Sequence, residues 1–295
     1  MKLKLHLHKF FINISTIFFG KGLGRIPGLL TIHTQIYKLL KPRGVVKLSI
    51  FGHKLYVNSK DKNIFSYLLK DGVYEPFETQ LIRSMLKKGD TVIDIGANIG
   101  YYTLLMAETV GSEGCVYAFE PEPNNYGLLT KNIKANNYSN IIPVQKALSD
   151  KDGSIKVYCD ERNFSGATFA KENLAIKSNN FTEVLTTSLD KCFVDSKIRL
   201  IKIDTQGAEG LIMAGAQSLL KNKNLIIFTE FWPYGLRNMG TDPKELLRTL
   251  REYGYTIKLI DEKNKTLRDI NNEEIFAICA SEKEGKHHIN LLLQS

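Results

Sequence analysis

Asp94-Ile95-Gly96-Ala97-Asn98-Ile99-Gly100 follows an apolar run that starts at Thr91 and leads into a helical pattern. Gly96 and Gly100 let the backbone turn tightly and approach a ligand, and the start of the helix offers free N–H groups. A dinucleotide loop reads G-x-G-x-x-G; here Asn98 takes the place of the second glycine. Asp94 at the strand end repels a pyrophosphate and welcomes an amine. Glu120 closes the next strand 26 residues on, where an acid accepts hydrogen bonds from a ribose diol. The ligand these residues predict is a nucleoside with an amine and no phosphate, which describes S-adenosylmethionine. Asp94 is expected at its amino group, Gly96, Asn98 and Gly100 in the loop around it, Glu120 at the ribose, and Lys146 and Ala147 beside the adenine. No nicotinamide is expected.

The groups that do chemistry on an acceptor should sit at the ends of later strands. One strand ends at Asp204-Thr205-Gln206-Gly207-Ala208-Glu209 and another at Glu230-Phe231-Trp232-Pro233. If the methyl acceptor is a neutral hydroxyl, transfer needs a proton acceptor, most often His. His6, His8, His33, His53, His287 and His288 all fall outside the apolar strand pattern, so the base is expected to be a carboxylate: Asp204 first, Glu230 second. A helix cap is the alternative role for Asp204, and Glu209 fits a first-turn helix carboxylate. Phe231 and Trp232 are expected to stack on a sugar face or on the cofactor's cation, with a core aromatic as the alternative for Trp232. Two acids are too few for a dedicated Mg²⁺ site, so no metal is expected.

The elements that must hold these residues alternate regularly. Strand patterns cover 91–95, 115–120, 141–145, 199–203, 225–230, 255–261 and 275–280, and helical patterns 76–88, 101–109, 123–136, 208–221 and 243–253. Nearly all-apolar strands alternating with helices predict a parallel sheet covered on both faces. The last two strands, joined by a short loop, predict an antiparallel edge hairpin. Residues 153–190 break the alternation and read as an insertion of short strands, 154–159 and 182–187, around a polar loop. Ahead of the sheet, 29–40 has helical spacing, and 45–50 with 54–57 reads as a β-hairpin.

VIDIGANIGYYTLLMA, VYAFEPEPNNYGLL and IKIDTQGAEG, in this order and spacing, resemble the FkbM family of S-adenosylmethionine-dependent methyltransferases. The resemblance runs from Gly72-Val73-Tyr74-Glu75-Pro76 to Trp232-Pro233 and leaves out the first 45 residues. Gln206 departs from the Glu of many members. The resemblance implies the class I fold, a doubly wound α/β, mostly parallel, Rossmann-like sheet; the residue patterns give it seven strands, an antiparallel edge hairpin and an N-terminal helical and β-hairpin extension. Residues 1–60 are expected to form that extension and 61–295 the cofactor-binding domain. The implied activity is methylation of hydroxyl groups, often on sugars or secondary metabolites. The alternatives are a nucleic-acid methyltransferase, which needs a planar apolar clamp absent from Asp204-Thr205-Gln206, and a non-catalytic S-adenosylmethionine-binding protein.

Composition sets the partners. The chain has 295 residues, 40 Lys+Arg and 31 Asp+Glu. Residues 1–60 hold 11 of the basic groups and no acid, so the remainder, with 29 basic against 31 acidic, is near neutral. That distribution argues against a nucleic-acid partner, which needs basic groups across the folded domain. Mixed with Phe10, Phe11, Ile14, Ile17, Phe18 and Phe19, it suits peripheral contact of residues 1–45 with an anionic membrane surface. The apolar run 10–19 is half of a spanning helix, and Gly20-Lys21-Gly22 is a poor cleavage site for a secretory signal. Cys115, Cys159, Cys192 and Cys279 lack metal spacing and fit a reduced, cytoplasmic protein. A small-molecule or glycan acceptor is expected; oligomeric state is not legible.

Overall fold

The computed structural model describes residues 2–19, 28–61, 63–160, 163–174, 179–194, 196–280 and 287–295. Gly20-Lys21-Gly22 and Pro27, at the expected start of the second helix, lie outside the described residues. The chain forms two compact units that divide between Tyr74 and Glu75.

The first unit contains α1 (Lys2–Phe19), α2 (Leu29–Leu40), the hairpin β1 (Val45–Ile50) and β2 (His53–Asn58), and α3 (Ile64–Lys70). Strand β1 alternates, with Val46, Leu48 and Ile50 buried and Lys47 exposed. Phe51 and Gly52 join the strands with φ of 48° and 83°. Two positive φ values are what a two-residue hairpin turn matching the strand twist requires.

The second unit runs through α4 (Pro76–Met85), β3 (Thr91–Ile95), α5 (Tyr101–Val110), β4 (Cys115–Phe119), α6 (Pro123–Ala135), β5 (Ile141–Val144), β6 (Ala147–Leu148), β7 (Gly153–Asp160), β8 (Asn163–Thr168), β9 (Phe181–Thr187) and α7 (Leu189–Cys192). It continues with β10 (Ile198–Ile203), α8 (Glu209–Ala214), β11 (Ile226–Phe231), α9 (Pro233–Asn238), α10 (Pro243–Glu252), β12 (Thr256–Asp261), β13 (Thr266–Asp269), α11 (Asn272–Ala280) and β14 (Ile289–Gln294). The main sheet has the order β13-β12-β14-β11-β10-β3-β4-β5. Strands β5, β4, β3, β10 and β11 are mutually parallel, and β14 runs antiparallel between β11 and β12. Strand order reverses between β3 and β10, so the crevice for a ligand opens beyond their carboxyl ends.

The α/β class expected from the sequence is the one found, with corrections in the strands. The sheet has eight strands, not seven. Residues 275–280, expected as an edge strand, lie in α11. A six-residue apolar run does not distinguish strand from buried helix. The local signal lay upstream, where Asn271 Oδ1 accepts from the Glu274 N–H at 2.9 Å and caps the helix, with Glu273 and Glu274 in its first turn. The edge hairpin is β12 with β13. Strand β14, missed in the sequence, fills the slot between β11 and β12 with Ile289, Leu291 and Leu293 on the core side. The expected helix 208–221 is shorter: α8 ends before Gly215. An added Cβ there would lie 2.2 Å from the Ser149 carbonyl oxygen.

The insertion is a second sheet of order β6-β9-β7-β8. It is tied to the loop after β10: Thr168 Oγ1 and Asn173 Nδ2 donate to the Gln206 carbonyl at 3.0 and 2.8 Å.

Candidate active site

The glycine loop is built by close approach. Gly96 N and Ala97 N both donate to the Phe119 carbonyl at 3.0 Å, folding the loop over the end of β4. A Cβ on Gly96 would lie 2.0 Å from the Asp204 carbonyl oxygen. Gly96 therefore serves the contact between the two loops of the crevice, where the sequence suggested space for the ligand. Gly100, at φ 89°, precedes α5, and a Cβ there would press within 2.7 Å of Leu129 Cδ1. It serves helix packing. Asn98 adopts φ 51°, and its buried Oδ1 has no hydrogen-bond partner. A buried unsatisfied acceptor beside a loop of this kind is a place for a ligand donor.

Glu120 is the anchor of the crevice. Its Oε2 accepts from the Asn98 N–H at 2.7 Å and its Oε1 from the Glu122 N–H at 2.8 Å. Each oxygen keeps a lone pair for further donors, the arrangement that a vicinal diol matches. Burial pushes its carboxyl up to about 8 against these backbone bonds, with Glu122 and Asp94 adding repulsion. Asp94 is buried on β3 and accepts from Thr103 Oγ1 at 2.5 Å. Burial raises it to about 6. Lys146 is half-buried. Ala147 is buried on β6 with Val157 and Val184, in the core of the small sheet. Glu120, Asp94 and the orphaned Asn98 oxygen offer acceptors that match the hydroxyl and amino donors of S-adenosylmethionine, whereas Ala147 is committed to the core of the small sheet.

On the other side of the crevice Asp94, Lys202 and Phe228 are register neighbours on β3, β10 and β11. Beyond them come Asp204 at the end of β10, Glu230 on β11 and Asn290, which pairs with Glu230 from β14. The row carries a buried cation, Lys202, whose Nζ lies 3.3 Å from Glu78 Oε1 and 3.6 Å from Asp204 Oδ2, and 4.4 Å above the centre of the Tyr102 ring. Burial alone would lower the lysine; Glu78, Asp204 and Glu75 outweigh it and hold the ammonium charged, above its usual value. Asn290 Nδ2 donates to Glu78 Oε2 at 2.7 Å and Glu75 Oε1 at 3.0 Å, and Tyr102 OH donates to Glu75 Oε2 at 2.8 Å. Burial first, then Glu78, raises Glu75 to about 8.

The two expected catalytic acids are brought together. Gln206 Nε2 sits between them, 3.3 Å from Asp204 Oδ1 and 3.2 Å from Glu230 Oε2. The Asp204 side chain is 31% exposed and that of Glu230 only 7%. Burial, and after it the charge of Asp204, push the Glu230 carboxyl well above the usual range. Glu209 caps its own helix start: Oε1 accepts from Thr205 N, Thr205 Oγ1 and Gly207 N at 3.1, 2.9 and 3.2 Å.

Two expectations change, for His288 and Phe231, and Trp232 takes its core-aromatic alternative. His288, excluded from the sheet by sequence, leads into β14 and brings Nε2 within 3.5 Å of Glu230 Oε1. Phe231 lies in the core and packs edge-on to Phe276 at 6.0 Å, away from the crevice. Trp232 is buried beside Gly235, where an added Cβ would come within 2.3 Å of the indole. Glu75, Glu78, Lys202 and Asn290 were missed. A lysine alone in an apolar strand, in the run Ile201-Lys202-Ile203-Asp204, was the available signal, because a buried cation demands partners. Among the described residues, no three His, Cys, Asp or Glu side chains are placed to hold a metal ion.

A family model described as "Methyltransferase FkbM domain" matches residues 94–257, more than half of the chain. The hexuronic acid methyltransferase AglP of Haloferax volcanii is 26% identical over 199 residues, covering 65% of this chain and 74% of that protein. Methyltransferase sdnD of Sordaria araneosa is 26% identical over 181 residues, covering 50% of this chain and 68% of that protein. Among solved structures, the FkbM methyltransferase of Methylobacillus flagellatus aligns at TM-score 0.43 and 14% identity, covering 78% of this chain and 52% of that one. Matched by the model from the strand carrying Asp94 to the one carrying Ile257, the chain belongs to the FkbM family of S-adenosylmethionine-dependent methyltransferases.

Proposed function

We propose that this methyltransferase acts on oxygen, methylating a hydroxyl of a sugar, a glycan or a related small molecule. The observation that carries the reading is the pair Asp204 and Glu230, bridged by Gln206 at the strand ends. When bound, S-adenosylmethionine supplies a methyl group on a sulfonium sulfur, which leaves as a neutral thioether. Glu120 holds the ribose hydroxyls, Asn98 Oδ1 accepts from the ligand, and Asp94 adds a carboxylate below the loop. Asp204, the more open acid, receives the acceptor's hydroxyl proton, with the Lys202 ammonium 3.6 Å from its Oδ2. Burial and the charge of Asp204 push the Glu230 carboxyl up, which favours its neutral form. AglP, named for a hexuronic acid substrate, supports a carbohydrate acceptor.

A second assignment rests on His288. An imidazole 3.5 Å from Glu230 Oε1 resembles a base oriented by a carboxylate. His288→Ala separates the two: it leaves turnover near wild type if Asp204 is the base.

The four cysteines are free thiols, which suits the reducing cytoplasm, and we place the enzyme there, at the inner face of the membrane, with no nucleic-acid partner. The test is incubation with methyl-labelled S-adenosylmethionine and cell extract, fractionated into glycolipid, small molecules, protein and RNA. An alkali-stable label in the carbohydrate-bearing fractions is expected. Label confined to RNA or protein overturns the acceptor class, and no transfer to any fraction overturns the enzymatic reading.

A further inference from the structure

The first unit has an apolar surface that its own packing does not use. Helices α1 and α2 lie against each other: the His8 and Tyr37 rings are 4.8 Å apart, and Phe11 stacks on His33 at 5.0 Å. Leu29, His33, Tyr37 and Leu40, at helical spacing, form the half-covered face of α2. Its other apolar side chains remain outside: Leu30 is 57% exposed, Ile32 57%, Ile36 38% and Leu39 74%. Ile32, Ile36 and Leu39 recur at the spacing of one helix face. On α1, Leu7 and Phe10, one turn apart, are 46% and 64% exposed. A helix with two apolar faces has a partner for each, and only one is accounted for within the unit.

Charge selects the partner for the other. Lys9, Lys38 and Arg43 are exposed, and Lys4 and Lys41 half-exposed, around these helices. No acid occurs in the first 60 residues. No helix among the described residues is long and apolar enough to cross a membrane. Exposed leucine, isoleucine and phenylalanine ringed by cations, on helices too polar to span, match an anionic lipid surface: the side chains enter the acyl boundary while the ammonium groups meet the headgroups.

We propose that α1 and α2 form a docking surface for anionic membranes, with Leu7, Phe10, Leu30, Ile32, Ile36 and Leu39 entering the lipid. The inference is independent of the acceptor. It places the enzyme beside substrates carried on lipid or assembled at the membrane.

Sedimentation of the full chain with phosphatidylcholine vesicles, with and without phosphatidylglycerol, tests it. Binding is expected only with phosphatidylglycerol and should weaken as salt rises. Ile32→Asp with Ile36→Asp and Leu39→Asp should cut binding roughly tenfold or more, with thermal transition and cofactor affinity unchanged. Lys9→Glu with Lys38→Glu should act in the same direction and keeps the apolar face intact. The proposal is overturned if the full chain ignores anionic vesicles at low salt, or if the triple variant still binds them. It is equally overturned if the triple variant instead dissociates a dimer, because the face then belongs to a second copy.

Discussion

The proposed cofactor contacts Glu120 and Asp94 carry raised carboxyls. Burial raises their carboxyls to about 8 and about 6. A ligand that donates hydrogen bonds and carries positive charge favours the ionised forms, so binding expels protons. Affinity for S-adenosylmethionine should therefore rise between about pH 6 and pH 8, with net proton release on calorimetry in buffers of different ionisation enthalpy. Glu120→Gln should weaken binding by about 1–3 kcal/mol, the scale of hydrogen bonds to a charged group, and flatten the upper part of that rise. Proton uptake on binding would contradict these roles. These two acids, with Asp204 and Glu230, were legible because each ends an apolar strand, where a charge has no packing purpose. His288 was not: nothing within the run His287-His288-Ile289-Asn290 says which strand it joins, and only pairing with β11 puts its ring beside Glu230.

Strand β10 carries the element-level argument. It places Lys202 between Asp94 on β3 and Phe228 on β11, under Glu78 of α4. The start of α4 is itself fixed by Glu262, whose carboxylate accepts from the Phe77 and Glu78 N–H groups at 3.0 and 2.6 Å. Removing one partner of a buried ion pair leaves its charge uncompensated and costs about 3–5 kcal/mol. Lys202→Met should therefore destabilise the protein by that amount at high pH in denaturant titrations. The loss should shrink as pH falls and the raised carboxyls of Glu75, Glu78 and Asp94 take up protons. A pH-independent loss would point to packing instead. Strands β3, β4, β10 and β11 were readable from their apolar runs. Residues 275–280 were read as the strand and β14 was missed because Ile275 to Ala280 and Ile289 to Leu293 are equally apolar; which one enters the sheet is decided by register with β11 and β12.

At the scale of the molecule, stability and function pull on the same acids. Asp94, Glu75 and Glu120 have carboxyls raised to about 6, 8 and 8. A raised acid stabilises the fold below its unfolded value, near 4 for carboxyls, and the contribution is lost as pH climbs through the folded value. The cofactor-free protein should thus lose thermal stability as pH rises from about 6 to about 8. Saturating S-adenosylmethionine should recover part of the loss, because binding favours the charged forms. A transition temperature that rises over this interval would remove the buried acids from the account. The charge asymmetry of residues 1–60 was fully legible, being a matter of counting. Two strands of the insertion, 154–159 and 182–187, were legible; its link to the crevice was not, since it runs through a side chain and a carbonyl, Asn173 to Gln206, that sequence does not pair.

On the proposed mechanism Asp204 takes the proton of a hydroxyl while other residues hold the cofactor. Single-turnover transfer from methyl-labelled S-adenosylmethionine, with cofactor occupancy measured in the same samples, tests it most directly on wild type and Asp204→Asn. The account predicts intact cofactor binding and transfer slowed by about 10²–10⁴-fold, the usual contribution of a general base. Near-wild-type transfer by Asp204→Asn, or loss of cofactor binding in step with transfer, would contradict it.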